Sequence, residues 1–344
     1  MKNCFTVLFA GFFIFAACNL STKNQTTQSG ISIIFETDMG NDIDDAMALD
    51  MLYKYADMGL VNLLGVSANK IGQYSIEFLD LMNTWYGYPN LPMGKITEGV
   101  DHEIEKPHID YTRPTCLYQE NGESPFERTH RDYEKIPESP LFYRELLAKQ
   151  PDNSVIVVSV GFSTNIARLL DTQPDKFSPL TGKELVAKKV KLLSLMGGSA
   201  SGNPDGFNIR LDIPAAQKVF NEWPTQIVMS PGELGWSIRF PASVIENDLA
   251  FANPHPLKIA YEIYYPMPHN RPTWDLTSVL YAVEGTKNYF TISEWGRIEV
   301  DDEAHTRFFP DVNGKHAYLS VNEEQIEIIK DRFIELITTK PKNR

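Results

Sequence analysis

Cysteine is scarce in this chain, with three in 344 residues. Two of them, Cys4 and Cys18, fall in an N-terminal apolar stretch, which leaves Cys116 alone in the remainder. An intramolecular disulfide there is excluded, and so is a zinc site built on thiolates. Long hydrophobic runs are missing too, because the apolar stretch 5–17 is too short to cross a bilayer as a helix. Positive charge is in deficit, with 32 Lys and Arg against 45 Asp and Glu and a formal net charge of −13. That balance argues against nucleic acid or anionic lipid as partners and suits a neutral small molecule or a cation. No repeat, low-complexity tract or linker interrupts residues 31–344, which are read as one domain.

What the N-terminus does have is Lys2, the apolar run and then Phe15-Ala16-Ala17-Cys18, which resembles a bacterial lipobox. Residues 1–18 are read as a lipoprotein signal with Cys18 as the lipidated residue. Residues 19–30, rich in Ser, Thr, Gln and Asn, are read as a flexible tether. Membrane contact is then expected through that lipid anchor alone. Asn19 stands where an Asp would indicate inner-membrane retention, so the expected place is the bacterial cell envelope, outer membrane favoured, with the domain periplasmic or surface-exposed. An ordinary cleaved signal accounts for the same apolar run, and the position of the cysteine favours the lipoprotein.

The densest chemistry lies in Phe35-Glu36-Thr37-Asp38-Met39-Gly40-Asn41-Asp42-Ile43-Asp44-Asp45-Ala46. Asp38, Asp42, Asp44 and Asp45 crowd one turn between the β-branched stretch 31–35 and a helical pattern of Ala46, Leu49 and Tyr53. In an open α/β sheet, ligands bind where a strand hands over to a helix. A helix N-terminus repays each carboxylate by under about 1 kcal/mol, whereas several packed together raise one another's pKa. A hard divalent cation with oxygen ligands, Ca2+ or Mg2+, removes that conflict. Asp44 and Asp45 could instead simply cap a helix, but four acids around Gly40 favour metal binding or catalysis.

Strand-like runs at 31–35, 63–67, 155–160, 190–196 and 226–230 alternate with helical patterns at 44–57, 75–86, 141–149, 164–170, 214–221, 257–265, 276–284 and 322–338. The alternation predicts an α/β fold, an open and mostly parallel sheet with flanking helices. Segments 297–300 and 316–319 are expected to form a late antiparallel hairpin. The polar, Pro-studded segment 96–139 is long enough to be a functional lid or disordered. Three strands end in Ala68-Asn69, Gly161-Phe162-Ser163-Thr164-Asn165 and Gly197-Gly198, so one rim of the sheet carries the chemistry.

In order and spacing, six pieces resemble the inosine–uridine-preferring nucleoside hydrolases. They are Asp38-Met39-Gly40 with Asp44-Asp45-Ala46-Met47-Ala48-Leu49, Gly65 with Ala68-Asn69, Val160-Gly161 with Thr164-Asn165-Ile166-Ala167, Leu195-Met196-Gly197-Gly198, Gly202-Asn203 with Phe207-Asn208, and Thr273-Trp274-Asp275-Leu276. The resemblance implies a Rossmann-like fold and a Ca2+-dependent N-ribohydrolase acting on a small-molecule nucleoside, with homo-oligomers common in the family. It implies Asp38, Asp45, Asp275 and the carbonyl of Val160 as metal ligands, and Asp38 as the base that takes a proton from the attacking water. Asp44, Asn69 and Asn208 would hold the ribose hydroxyls, with Asn203 near the 5′ end.

The departures from the family pattern are specific. Glu36 replaces its first acid, and two extra residues after Gly40 add Asp42, which joins the candidate metal ligands. Gly206 stands where many members bind the ribose 5′-hydroxyl with a Glu, and Asp205 is a candidate substitute. Trp274 replaces the histidine of nonspecific members, as in members that stack a purine, so purine nucleosides are favoured. His269, Tyr261 and Tyr265 are weaker candidates to face the base, as are the loop histidines His102, His108 and His130, while Trp85 is read as core. Glu233 is read as a supporting acid or a plain turn residue. The remaining readings are a ribosyl- or Ca2+-binding surface lipoprotein without turnover, a hydrolase of a 5′-modified ribosyl compound, and, weakest, phosphoryl transfer.

Overall fold

The computed structural model describes residues 1–2 and 30–342, apart from 103, 105, 131, 204–206 and 250. The segment carrying Cys18 and most of the tether lie outside these residues, as do Asp205 and Gly206. Strands are β1 (Ile31–Thr37), β2 (Val61–Ala68), β3 (Met93–Gly94), β4 (Val155–Ser159), β5 (Val190–Met196), β6 (Gln226–Ser230), β7 (Arg239–Phe240), β8 (Arg271–Pro272), β9 (Thr291–Ile292), β10 (Gly296–Val300), β11 (Thr306–Pro310) and β12 (His316–Ser320). Helices are α1 (Ile43–Asp57), α2 (Gln73–Trp85), α3 (Thr112–Cys116), α4 (Ser139–Ala148), α5 (Thr164–Asp171), α6 (Gly182–Lys189), α7 (Ile213–Glu222), α8 (Gly232–Ser237), α9 (Ala242–Asp248), α10 (Pro256–Tyr264), α11 (Trp274–Glu284) and α12 (Glu323–Thr338).

The main sheet runs β11-β10-β12-β6-β5-β4-β1-β2-β3, with β9 on β12, and β7 pairs with β8 separately. From β12 to β3 every neighbouring pair is parallel. These strands read as continuous apolar runs because helices cover both faces. Side chains alternate accordingly: Ile33, Phe35, Ile156 and Val158 pack with α1, α2, α11 and α12, and Ile34, Val155 and Val157 pack with α4, α5, α6 and α7. Chain order reverses between β1 and β4, which lie side by side with Phe35 opposite Val158. That is the topological switch point, where the carboxyl ends of the strands open a crevice.

The C-terminal hairpin differs from expectation. The antiparallel partner of β10 is β11, with Glu299 opposite Arg307. The strand expected as its partner, β12, instead extends the parallel sheet along β6 and meets β10 only at Gly296 and His316. The tight turn at 301–305, with Ala304 at φ 65° and Asp301 accepting the backbone N–H groups of Glu303 and His305, closes the shorter hairpin. Nor is the segment 96–139 an open loop. Asp80 of α2 accepts the backbone N–H groups of Thr129 and His130 and the Tyr133 hydroxyl, and Glu77 pairs with Arg128 at 3.2 Å. Trp85 is core, and Cys116 is a buried free thiol. No described helix is long and apolar enough to cross a membrane.

Candidate active site

Gly40, at φ 110°, turns the chain out of β1, and its N–H donates to the Tyr111 hydroxyl at 3.2 Å. Asp42 then takes the N-cap position of α1 in extended geometry but makes no side-chain cap bond. Its carboxylate is held by Arg271 of β8, with Nε to Oδ1 at 2.7 Å and Nη2 to Oδ2. Asp44 and Asp45 fill the first turn of α1, and both are 1% exposed. Asp44 accepts the backbone N–H of Asp275 at 3.0 Å, which ties the start of α1 to the start of α11. The Thr37 hydroxyl donates to Asp45, and Asn41 Nδ2 donates to Asp38 at 2.7 Å.

The end of β4 supplies the facing wall. Asn208 Nδ2 donates to the Val160 carbonyl at 2.8 Å and to the Met196 carbonyl at 3.2 Å. Asn69 Nδ2 donates to the Phe162 carbonyl at 2.9 Å, so its Oδ1 is the free end of the amide. Gly161 makes this approach feasible: a Cβ there would stand 2.5 Å from Asn69 Oδ1 and 2.7 Å from Asp38 Oδ1. Below Asp38, buried Glu36 accepts the hydroxyls of Tyr143 and Ser159.

Above these residues lies a cavity of about 650 Å³. Of the residues singled out from the sequence, Asp38, Asp42, Asp44, Asp45, Val160, Asn203, Asn208, Trp274 and Asp275 line it, and Asn69 sits behind Asp38 without lining it. His102, His108 and Glu233 line it as well, the last accepting the N–H groups of Ala200 and Ser201. Tyr261, Tyr265, His269 and His130 do not: the His269 ring stacks on Tyr261 at 4.3 Å, and His130 lies against Tyr133. Sequence reasoning missed Arg271, Tyr264, Trp236 and Arg210, all of which line the cavity. Arg271 had one signal, since an inserted Asp42 in an acidic turn calls for a cation.

Burial sets the electrostatics. It pushes Asp38 up to about 6, against the pull of the Asn41 hydrogen bond and the Lys70 charge. Asp44, Asp45 and Asp275 are raised well above the carboxylate range, first by burial and then by the neighbouring aspartates. Glu36 rises to about 7 through burial, moderated by Tyr143 and Ser159. Among the described residues no three His, Cys, Asp or Glu side chains stand close enough to form a ready cage for a metal ion. The donor chemistry nevertheless fits a hard cation: buried carboxylates, a carbonyl with a free lone pair, no thiolate, and buried Asn41 Oδ1 and Asn69 Oδ1 without a hydrogen-bond partner.

A mostly parallel α/β sheet with an acidic pocket at its switch point is the architecture of a Rossmann-like ligand-binding fold. The sequence pattern of the inosine-uridine preferring nucleoside hydrolases matches residues 33–329, and the chain belongs to that family. Three solved structures share the fold. A purine-preferring ribonucleoside hydrolase from Gardnerella vaginalis aligns with a TM-score of 0.67 at 17% identity, over 89% of this chain and 98% of that one. An inosine-uridine preferring nucleoside hydrolase from Bacillus anthracis gives 0.64 at 16% identity, over 89% and 99%. A plant nucleoside hydrolase gives 0.64 at 17%, over 90% and 98%. Comparison with curated proteins gives no match. The family is commonly metal-dependent, and the donor set fits that property.

Proposed function

We propose that the protein hydrolyses the N-glycosidic bond of ribonucleosides, purine nucleosides foremost, with Ca2+ as cofactor. The observation that carries this reading is the meeting of Asp38, Asp44 and Asp45 with Asp275 in one cavity, the start of α11 being tied to Asp44 at 3.0 Å. Asp38, Asp45, Asp275 and the Val160 carbonyl are the ligand set. A bound Ca2+ would supply charge compensation to the buried carboxylates and Lewis acidity. Asp42 is engaged by Arg271, so its contribution to that set is indirect.

Asp38 is the base that accepts a proton from the water attacking C1′. A carboxylate positioned to take that proton contributes by general-base catalysis. Asn208 spends its Nδ2 on backbone carbonyls, which turns its Oδ1 into an acceptor for a ribose hydroxyl, and Asn69 is fixed in the same sense. With Asp44, Asn208 holds the sugar, while Asn69 stands behind Asp38, and the anionic wall favours the positive charge that develops on the ribosyl ring. Trp274, its Nε1 anchored on the Gly232 carbonyl at 2.8 Å, presents an indole on the base side. Cys18 as a lipid anchor would place this activity in the bacterial cell envelope, where nucleosides are salvaged before uptake.

The test is ribose release from inosine, guanosine, adenosine, uridine and cytidine. Release from the purines in preference to the pyrimidines supports the reading. Equal release from uridine retains the hydrolase and removes the purine preference. No release from any of the five, with Ca2+ bound, points to a different ribosyl substrate or to ribosyl binding without turnover.

A further inference from the structure

Building on the hydrolase reading, we infer that Arg271 stabilises the departing base, donating a hydrogen bond from Nη1 as the glycosidic bond breaks. The guanidinium is fixed on three sides. Asp42 takes Nε and Nη2, the Tyr264 ring lies 5.0 Å from its centre, and the Trp274 ring lies 5.2 Å away. Its side chain is only 14% exposed, yet it lines the cavity. Nη1 has no hydrogen bond to the described residues. A cation with one nitrogen, Nη1, free to donate therefore stands on the wall where Trp274 would stack the base, four positions before Asp275.

The chemistry needs such a group. Water oxygen bonds to C1′ and its proton passes to Asp38. The C1′–N electron pair goes to the base nitrogen, so negative charge gathers on the base. Trp274 offers no proton, and His269 is stacked outside the cavity. Burial alone would lower the pKa of Arg271, but Asp42 more than offsets it and the guanidinium stays charged. It therefore acts by charge and hydrogen bonding, and the base anion takes its proton from solvent water, as Asp38 returns one. The added Asp42 has a role in this arrangement: it aims Arg271.

The experiment compares inosine with p-nitrophenyl riboside, whose phenolate departs without assistance, in wild type, Arg271→Gln, Arg271→Lys and His108→Gln. The expected result is a loss of about 10²–10³-fold in kcat on inosine for Arg271→Gln, with a loss at least about tenfold smaller on the activated riboside. Activity on the activated riboside also reports an intact fold and sugar site. Equal losses on both substrates, undiminished inosine turnover, or a leaving-group-dependent loss in His108→Gln in place of Arg271→Gln would overturn the assignment. If Arg271→Gln lacks a cooperative thermal transition, the same ratio in Arg271→Lys, which keeps charge but not the fork, decides. Wild type inactive on both substrates would instead sink the hydrolase reading itself.

Discussion

Replacing Gly161 by alanine adds one methyl group at the tightest point of the candidate site. The new Cβ would lie 2.5 Å from Asn69 Oδ1 and 2.7 Å from both the backbone N and the Oδ1 of Asp38. Reaching even the 3.0 Å that Cβ atoms essentially never undercut requires retreats of about 0.5 Å for Asn69 and 0.3 Å for Asp38. Asn69 is anchored on Phe162, and Asp38 is followed by the tight turn at Gly40, so neither can yield freely. A misplacement approaching 1 Å costs about 10²-fold in rate, which puts the expected loss in kcat for Gly161→Ala at roughly 10–10². Overpacking costs about 1–3 kcal/mol of stability, so the variant should fold and melt a few degrees lower. Steady-state ribose release and thermal unfolding on the same preparation measure both. Full activity at unchanged KM would refute the claim that Asp38 and Asn69 act together across Gly161.

Asp38→Asn should lower kcat by about 10²–10⁴-fold with the fold intact, by the usual worth of a positioned base; turnover close to wild type would remove Asp38 from that role. Asp50→Ala leaves Lys54 buried beside the Ile337 carbonyl without its 2.8 Å partner, and should cost about 3–5 kcal/mol in urea unfolding. A cost below about 1 kcal/mol would mean that water reaches Lys54. Burial lowers His316 from 6.5 to about 4, so unfolding takes up a proton between those values. Its contribution is complete above pH 6.5 and is lost as the pH falls toward 4, by about 2–3 kcal/mol. His316→Gln should flatten the fall in unfolding free energy between pH 7 and pH 5; identical slopes would refute the assignment.

The parallel core was legible because its strands are buried on both faces, and runs such as 155–160 and 190–196 announce that directly. The crevice was legible because the acids of 38–45 follow one of those strands. Elements held by tertiary contacts escaped. Helices α8 and α9 are short, and α3 lies in a polar segment clamped by Asp80 and Glu77. α6 did carry a signal, the capping box of Thr181 and Glu184. A late antiparallel hairpin forms as expected, but β11 supplies its second strand, because β12 takes its register from β6. Arg271 and Tyr264 are distant in sequence from Asp42, and only the folded chain joins them.

The central claim is hydrolysis by a calcium-loaded aspartate site, and reversible metal removal tests it most directly. Ribose release from inosine would be measured before chelation, after chelation, and after Ca2+ is restored. The account predicts activity, its loss, and its return, with no return in Asp38→Asn. Undiminished ribose release after complete removal of metal would contradict it.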